Sequence, residues 1–358
     1  MSKSLLRDNT GFLCPAVIAA FVLCCLCPGV FAMVSGPCSN CHTMHNRQNG
    51  SPVDSGGVND NLTVTGCVGC HSDSSSNTIR LLGSSSIPVV FNVSEPVSPL
   101  AGGNYYWVSA FSDDRFGHNV HSIAGPDENL TYVPGRHIGS DTDLTITECY
   151  NCHSAGFSPG YPGIPFTIPR SGNVLICEDC HTQVMHHADD SSTIVKGSGG
   201  WYRFLYEVEG IEDPDWQQTV SKSDHNEYKG ETAAYRGSIS DAGCGCHGNF
   251  HALKNPGDVG TGSPWLKHPV DVALPSDGEY ASYTEYNPQA PVARPDLSGY
   301  GAPSSVVTPG TDQVMCISCH RAHGSNQPDM LRWDYSTIIS GGGADTGGCF
   351  ICHSTKDD

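Results

Sequence analysis

The chain has 358 residues and carries 18 Lys and Arg against 37 Asp and Glu, a net charge of −19. So acidic a balance excludes a nucleic-acid backbone or an anionic lipid surface as the expected partner, since both are met by clustered Lys and Arg. The 41 Gly and 24 Pro predict a mostly irregular, loop-rich chain with short helices and a few short strands, held together by something other than a large aliphatic core.

Residues 1–32 read as a secretory signal peptide. Lys3 and Arg7 make a basic start, Ala16 to Phe31 is apolar, and Val30-Phe31-Ala32 offers small residues at a cleavage site. The apolar run is shorter than the roughly 20 residues that span a bilayer. The expectation is an exported chain, cleaved after Ala32, with no transmembrane anchor left.

Beyond residue 32, fourteen cysteines remain, and all fall in close pairs followed at once by histidine. Six sites read Cys-x-x-Cys-His: Cys38/Cys41/His42, Cys67/Cys70/His71, Cys149/Cys152/His153, Cys177/Cys180/His181, Cys316/Cys319/His320 and Cys349/Cys352/His353. The seventh, Cys244-Gly245-Cys246-His247, has one residue fewer between its cysteines. This spacing suits covalent haem c. Two thiols form thioethers with the two vinyl groups on one haem edge, and the next histidine reaches the iron as proximal ligand. Zinc ribbons and disulfides also use paired cysteines, but neither requires histidine at that offset. About seven haems are therefore expected, and a chain wrapped around closely packed porphyrins needs no deep apolar core.

The sites cluster as doublets over residues 38–71, 149–181 and 316–353, with the shortened site alone. The segment 191–200, rich in Ser and Gly, divides a four-haem part (33–190) from a three-haem part (191–358). Between the sites, Ile87 to Phe91 and Tyr105 to Val108 read as short strands, and Trp201 to Tyr206 is a further aromatic run.

Seventeen histidines less the seven proximal ones leave ten for the distal side of the irons. The candidates are His45, His118, His121, His187, His251, His268 and His323; only one of His186 and His187 and one of His118 and His121 need bind, and His137 and His225 are the remaining two. His45 and His323 follow their proximal histidines by three residues. A stretch of about 10 Å cannot pass around a porphyrin rim, so each should bind the iron of a different haem. Met44 and Met315 should pack on haem faces instead.

Cys38-Ser39-Asn40-Cys41-His42-Thr43-Met44-His45, Gly245 to His251, and Cys316 to Trp333 resemble the multihaem cytochromes with doubled haem motifs from metal-reducing bacteria, among them outer-surface cytochromes that polymerise into conductive filaments. The resemblance implies stacked bis-histidine haems, partners that are other redox proteins or extracellular electron acceptors, and a second copy of the chain where filaments form. The expected function is electron transfer at the cell surface or in the periplasm. An enzyme such as a nitrite reductase needs an iron with an open axial position, and the histidine surplus lets every iron here be closed.

Overall fold

Each Cys-x-x-Cys-His site that the structure describes folds as one helical turn. The histidine N–H donates to the carbonyl of the first cysteine, at 2.8 Å for His42 and His71, 2.9 Å for His181 and His353, and 3.1 Å for His320. That turn places two cysteines three residues apart on one face and turns the chain at the histidine. The computed structural model describes residues 34–127, 175–187, 201–240, 247, 250 and 268–356, with short gaps inside these stretches. The signal segment, Cys149, Cys152, His153, Cys244, Cys246, His137, His251 and the segment 191–200 lie outside the described residues.

Four α-helices are described: α1 (Cys67–Cys70), α2 (Tyr106–Phe111), α3 (Cys177–Cys180) and α4 (Cys316–Cys319). Three of them are motif turns. The first and last motifs fold as 3-10 turns at Cys38–Asn40 and Gly348–Ile351. Two turns are tied by their own third residue. Asp179 accepts from Ile176 N at 2.9 Å ahead of α3, and Ser318 Oγ accepts from Met315 N at 3.0 Å ahead of α4.

The strands are as short: β1 (Arg47–Gln48), β2 (Ser51–Pro52), β3 (Ser72–Asp73), β4 (Ile79–Leu82), β5 (Ser85–Pro88), β6 (Phe91–Asn92), β7 (Gly210–Ile211), β8 (Glu227–Lys229), β9 (Val272–Ala273), β10 (Ala293–Arg294) and β11 (Gln313–Val314). β4 and β5 form a hairpin whose turn includes Gly83 at φ +65°, β1 pairs with β2, and β3 runs parallel to β6. The remaining five make one sheet in the order β7-β8-β10-β11-β9, parallel only between β8 and β10.

The expectation of a strand at Tyr105 to Val108 is corrected: these residues enter α2. Asn104 Oδ1 accepts from Tyr106 N at 2.9 Å and supplies the turn chemistry that favours a helix start. Trp107 and Val108 then share its buried side. The other expected strand, near Ile87 to Phe91, falls on β5 and β6, interrupted at Val89 and Val90.

The apolar interior is divided into small clusters. Tyr202, Leu205, Val208, Tyr228 and Ile317 form one, Tyr283, Tyr286, Val292 and Val307 another, and Tyr105, Val108 and Val120 a third. At the centre of the five-stranded sheet, the buried Arg294 donates to Glu227 at 3.0 Å and pairs with Asp312. Glu227 also accepts from Ser304 N at 2.7 Å, and Asp312 accepts from Thr308 N at 2.7 Å. Sequence-distant segments meet where Gly103 and Gly324 form a bridge, with Asn104 N donating to Gly324 O at 3.0 Å. This contact brings α2 against the loop that carries His323.

Candidate functional site

A histidine that is to bind a metal through Nε2 must hold its proton on Nδ1, usually by donating it to an oxygen acceptor. The motif histidines do this wherever a partner is resolved. Nδ1 of His71 donates to Pro88 O, that of His181 to Arg203 O and that of His320 to Asp329 O, each at 2.8 Å. Nδ1 of His353 reaches Glu279 Oε1 at 3.2 Å. Three non-motif histidines follow suit: His118 donates to Ala322 O at 2.6 Å, His225 to Ser221 O at 3.0 Å and His268 to Pro269 O at 3.1 Å. A carbonyl only accepts, so Nδ1 carries the proton and the Nε2 lone pair is left for a ligand role.

The imidazole rings meet in pairs, and each pair joins a motif histidine to a non-motif histidine. The centroids of His42 and His187 are 5.9 Å apart, His71 and His186 6.1 Å, His181 and His323 6.1 Å, His247 and His118 6.4 Å, and His353 and His268 6.3 Å. The rings of His42 and His187 and of His71 and His186 are near parallel, at 21° and 18°, but all five separations are longer than a contact stack. A true stack is seen at His225 and Tyr286, 3.6 Å apart and 7° from parallel. Two metal–imidazole bonds of about 2 Å each, plus about 1 Å from each nitrogen to its ring centre, put two rings about 6 Å apart across one ion. The five pairs have the separation that two imidazoles would have with one metal ion held between them.

Burial holds His71, His118, His181, His186, His268 and His320 below the ordinary imidazole value. His323 is pushed down to about 3 by burial, with His181 and His118 adding to the effect. A neutral imidazole is the ligating form. The cysteines point the same way. Burial pushes the thiols of Cys319 and Cys352 to about 12. Such dry surroundings suit an uncharged thioether better than the thiolate that zinc requires. Cys67, Cys177 and Glu178 bring three potential donor atoms within 4.8 Å of one another. That cluster lies where α1 and α3 abut, so the cysteine edges of two motifs adjoin. The residues present thus fit haem c.

A doubled CXXCH motif family model matches residues 308–358. The C-type cytochrome OmcS of Geobacter sulfurreducens is 23% identical over 402 residues, an alignment covering 91% of this chain and 87% of that protein. The chain is a homologue of that c-type cytochrome. A solved Outer Membrane Cytochrome S filament from the same organism shares the fold, with a TM-score of 0.52 at 17% identity and coverage of 86% of both chains. A second structure, of OmcS nanowires, matches with a TM-score of 0.48 at 16% identity and covers 88% of both chains. Among the described residues, no helix is long and apolar enough to cross a membrane.

Against the sequence reading, the structure places His118, His187, His268 and His323 each opposite a motif histidine of another segment. It treats His186 and His187 differently from the expectation that only one is used: consecutive in the chain, they face His71 and His42 respectively. α1 and the turn at Cys38–Asn40 lie close enough together for adjacent residues to serve both. His121 is exposed, with Nδ1 3.0 Å from Ser122 Oγ, and His45 is exposed in a left-handed backbone conformation at φ 54°. His225 is fully buried beside Glu227. The carbonyls of Pro88, Arg203, Asp329 and Ala322 were not legible, because a backbone acceptor has no sequence signature.

Proposed function

We propose that the mature chain holds about seven haems c and passes electrons among them, as an exported electron carrier at the cell surface or in the periplasm rather than an enzyme. The five facing histidine pairs carry this reading. When bound, each haem supplies an iron that gains and loses one electron.

The chain's residues do the rest. Each cysteine pair tethers a haem by its vinyl edge, and the motif histidine takes the proximal position. His187, His186, His323, His118 and His268 take the distal positions opposite His42, His71, His181, His247 and His353. His45, His121 and His251 remain as candidates opposite His153 and His320. Closing both faces of an iron with imidazole leaves no place for a substrate, which favours transfer over activation. The carbonyl acceptors fix each ring's tautomer and angle, so little need move when the charge changes.

The pairs also lock motif to motif. His186 and His187 leave the α3 motif for irons tethered at Cys67/Cys70 and Cys38/Cys41, and His323 leaves the α4 motif for the iron tethered at Cys177/Cys180. Donors and acceptors are other redox proteins or extracellular acceptors. Self-assembly enters through the likeness to a filament subunit, and negative-stain images of purified protein would separate filaments from monomers.

The test is His323→Ala. All haems should stay attached, since no thioether is touched, and one iron should become five-coordinate or water-ligated. That iron should be the one tethered at Cys177/Cys180. A low-spin absorption and resonance Raman spectrum identical to wild type would contradict the assignment.

A further inference from the structure

Two arginines flank the α4 motif without a carboxylate. Arg332 Nε donates to Ile317 O at 2.6 Å, but its Nη2 is cut off from solvent and has no hydrogen-bond partner. Arg321 Nη1 donates to the carbonyls of Leu100 and Ala101 at 2.9 and 3.4 Å. The charge of Arg332 acts repulsively on Arg321, and Tyr228 neighbours both. Tyr286, Cys319, Tyr202 and His320 also neighbour Arg332.

This differs from Arg294 and Arg203, two other enclosed arginines among the described residues. Arg294 is met by Glu227 and Asp312, and Arg203 by Glu212 at 3.2 Å. Acidic residues outnumber basic ones 37 to 18, yet among the described residues none forms an ion pair with Arg321 or Arg332. Two half-buried like charges, one with an enclosed and unpartnered Nη2, are disfavoured unless an anion joins them. A guanidinium fork is shaped for a carboxylate.

We propose that Arg332, assisted by Arg321, binds a haem propionate. The proposal rests on the reading that the motifs carry haem. Arg332 lies by Cys319, on the thioether side of the haem tethered at Cys316/Cys319. Vinyl and propionate groups occupy opposite edges of a haem, so the carboxylate comes from a neighbouring haem. The arginine pair therefore ties two haems together, as the histidine pairs do, but by charge. It also places positive charge beside an iron, which favours the reduced state.

The test uses the full-length haem-loaded protein and the variants Arg332→Gln and Arg332→Lys. Intact mass gives the haem count, redox titration the potentials, and resonance Raman the propionate bending bands. Arg332→Gln should keep the haem count, shift one component of the titration to lower potential, change a propionate band and lower the melting temperature. Arg332→Lys should restore most of the potential shift. An unchanged titration and unchanged propionate bands at full haem count would overturn the propionate assignment alone. A rise in melting temperature for Arg332→Gln would also overturn it, because that is the behaviour of a buried cation with no partner. Wild-type protein without haem would overturn the functional reading as well, and the mass shows this independently of Arg332.

Discussion

His225 and His118 both donate Nδ1–H to a backbone carbonyl, yet their surroundings separate them. His118 faces His247, whereas His225 is stacked on Tyr286 with Nε2 3.4 Å from Glu227 Oε1. His225 thus stands between a tyrosine ring and a carboxylate, and among the described residues no motif histidine faces it. Burial alone would raise Glu227, but the adjacent His225 ring and Arg294 outweigh it and hold the carboxyl below its ordinary value of 4.5. A depressed carboxyl stabilises the fold fully above its unfolded value, and the contribution is lost as pH falls through the folded value. Asp312, raised by burial, runs the other way, so a variant is needed to isolate Glu227. Glu227→Gln should cost about 3–5 kcal/mol at neutral pH, the range for breaking a buried pair. In chemical denaturation, its deficit against wild type should stay flat down to pH 4.5 and shrink below it. A deficit independent of pH throughout would contradict the charge argument. None of this network was legible, since Glu227, Arg294 and Asp312 are distant in sequence and no local pattern marks a buried pair.

Among the elements, the motif turn was the most legible because covalent chemistry fixes its spacing. The α2 segment was the least. Its aromatic run has strand propensity, but the Asn104 side chain and the burial of Trp107 and Val108 override it. The pairing of elements was equally hidden, since facing histidines come from segments far apart in the chain. The bridge between Gly103 and Gly324 shows what such pairing requires. Gly103 has φ +84° and Gly324 φ +139°, and a Cβ on Gly324 would meet Phe116 O at 2.5 Å and Asn104 O at 2.9 Å. Gly324→Ala should cost about 1–3 kcal/mol, the scale of backbone strain at such positions. It should also displace the adjacent His323, so a high-spin fraction should accompany the lowered melting temperature. Loss of the Asp179 tie to Ile176 N in Asp179→Ala should cost only about 1 kcal/mol and leave the spin state unchanged.

For the molecule as a whole, the composition already implied many loops and little aliphatic core, and the small separate apolar clusters follow from it. Contacts between distant segments do much of the joining. Gln218 donates to Thr78 at 3.0 Å and Arg321 to Leu100 at 2.9 Å. Haem count is the whole-molecule quantity that the sequence specifies best, and intact mass should give seven. Six would mean that Cys244 and Cys246 hold none, and five or fewer would contradict the cysteine argument. What the sequence leaves open is which histidine serves which iron, and there the central claim rests on facing imidazoles. Electron paramagnetic resonance of the fully oxidised, full-length protein tests it most directly. The account predicts low-spin ferric signals alone, as two imidazoles per iron require, whereas a high-spin signal integrating to one iron or more per chain would contradict it.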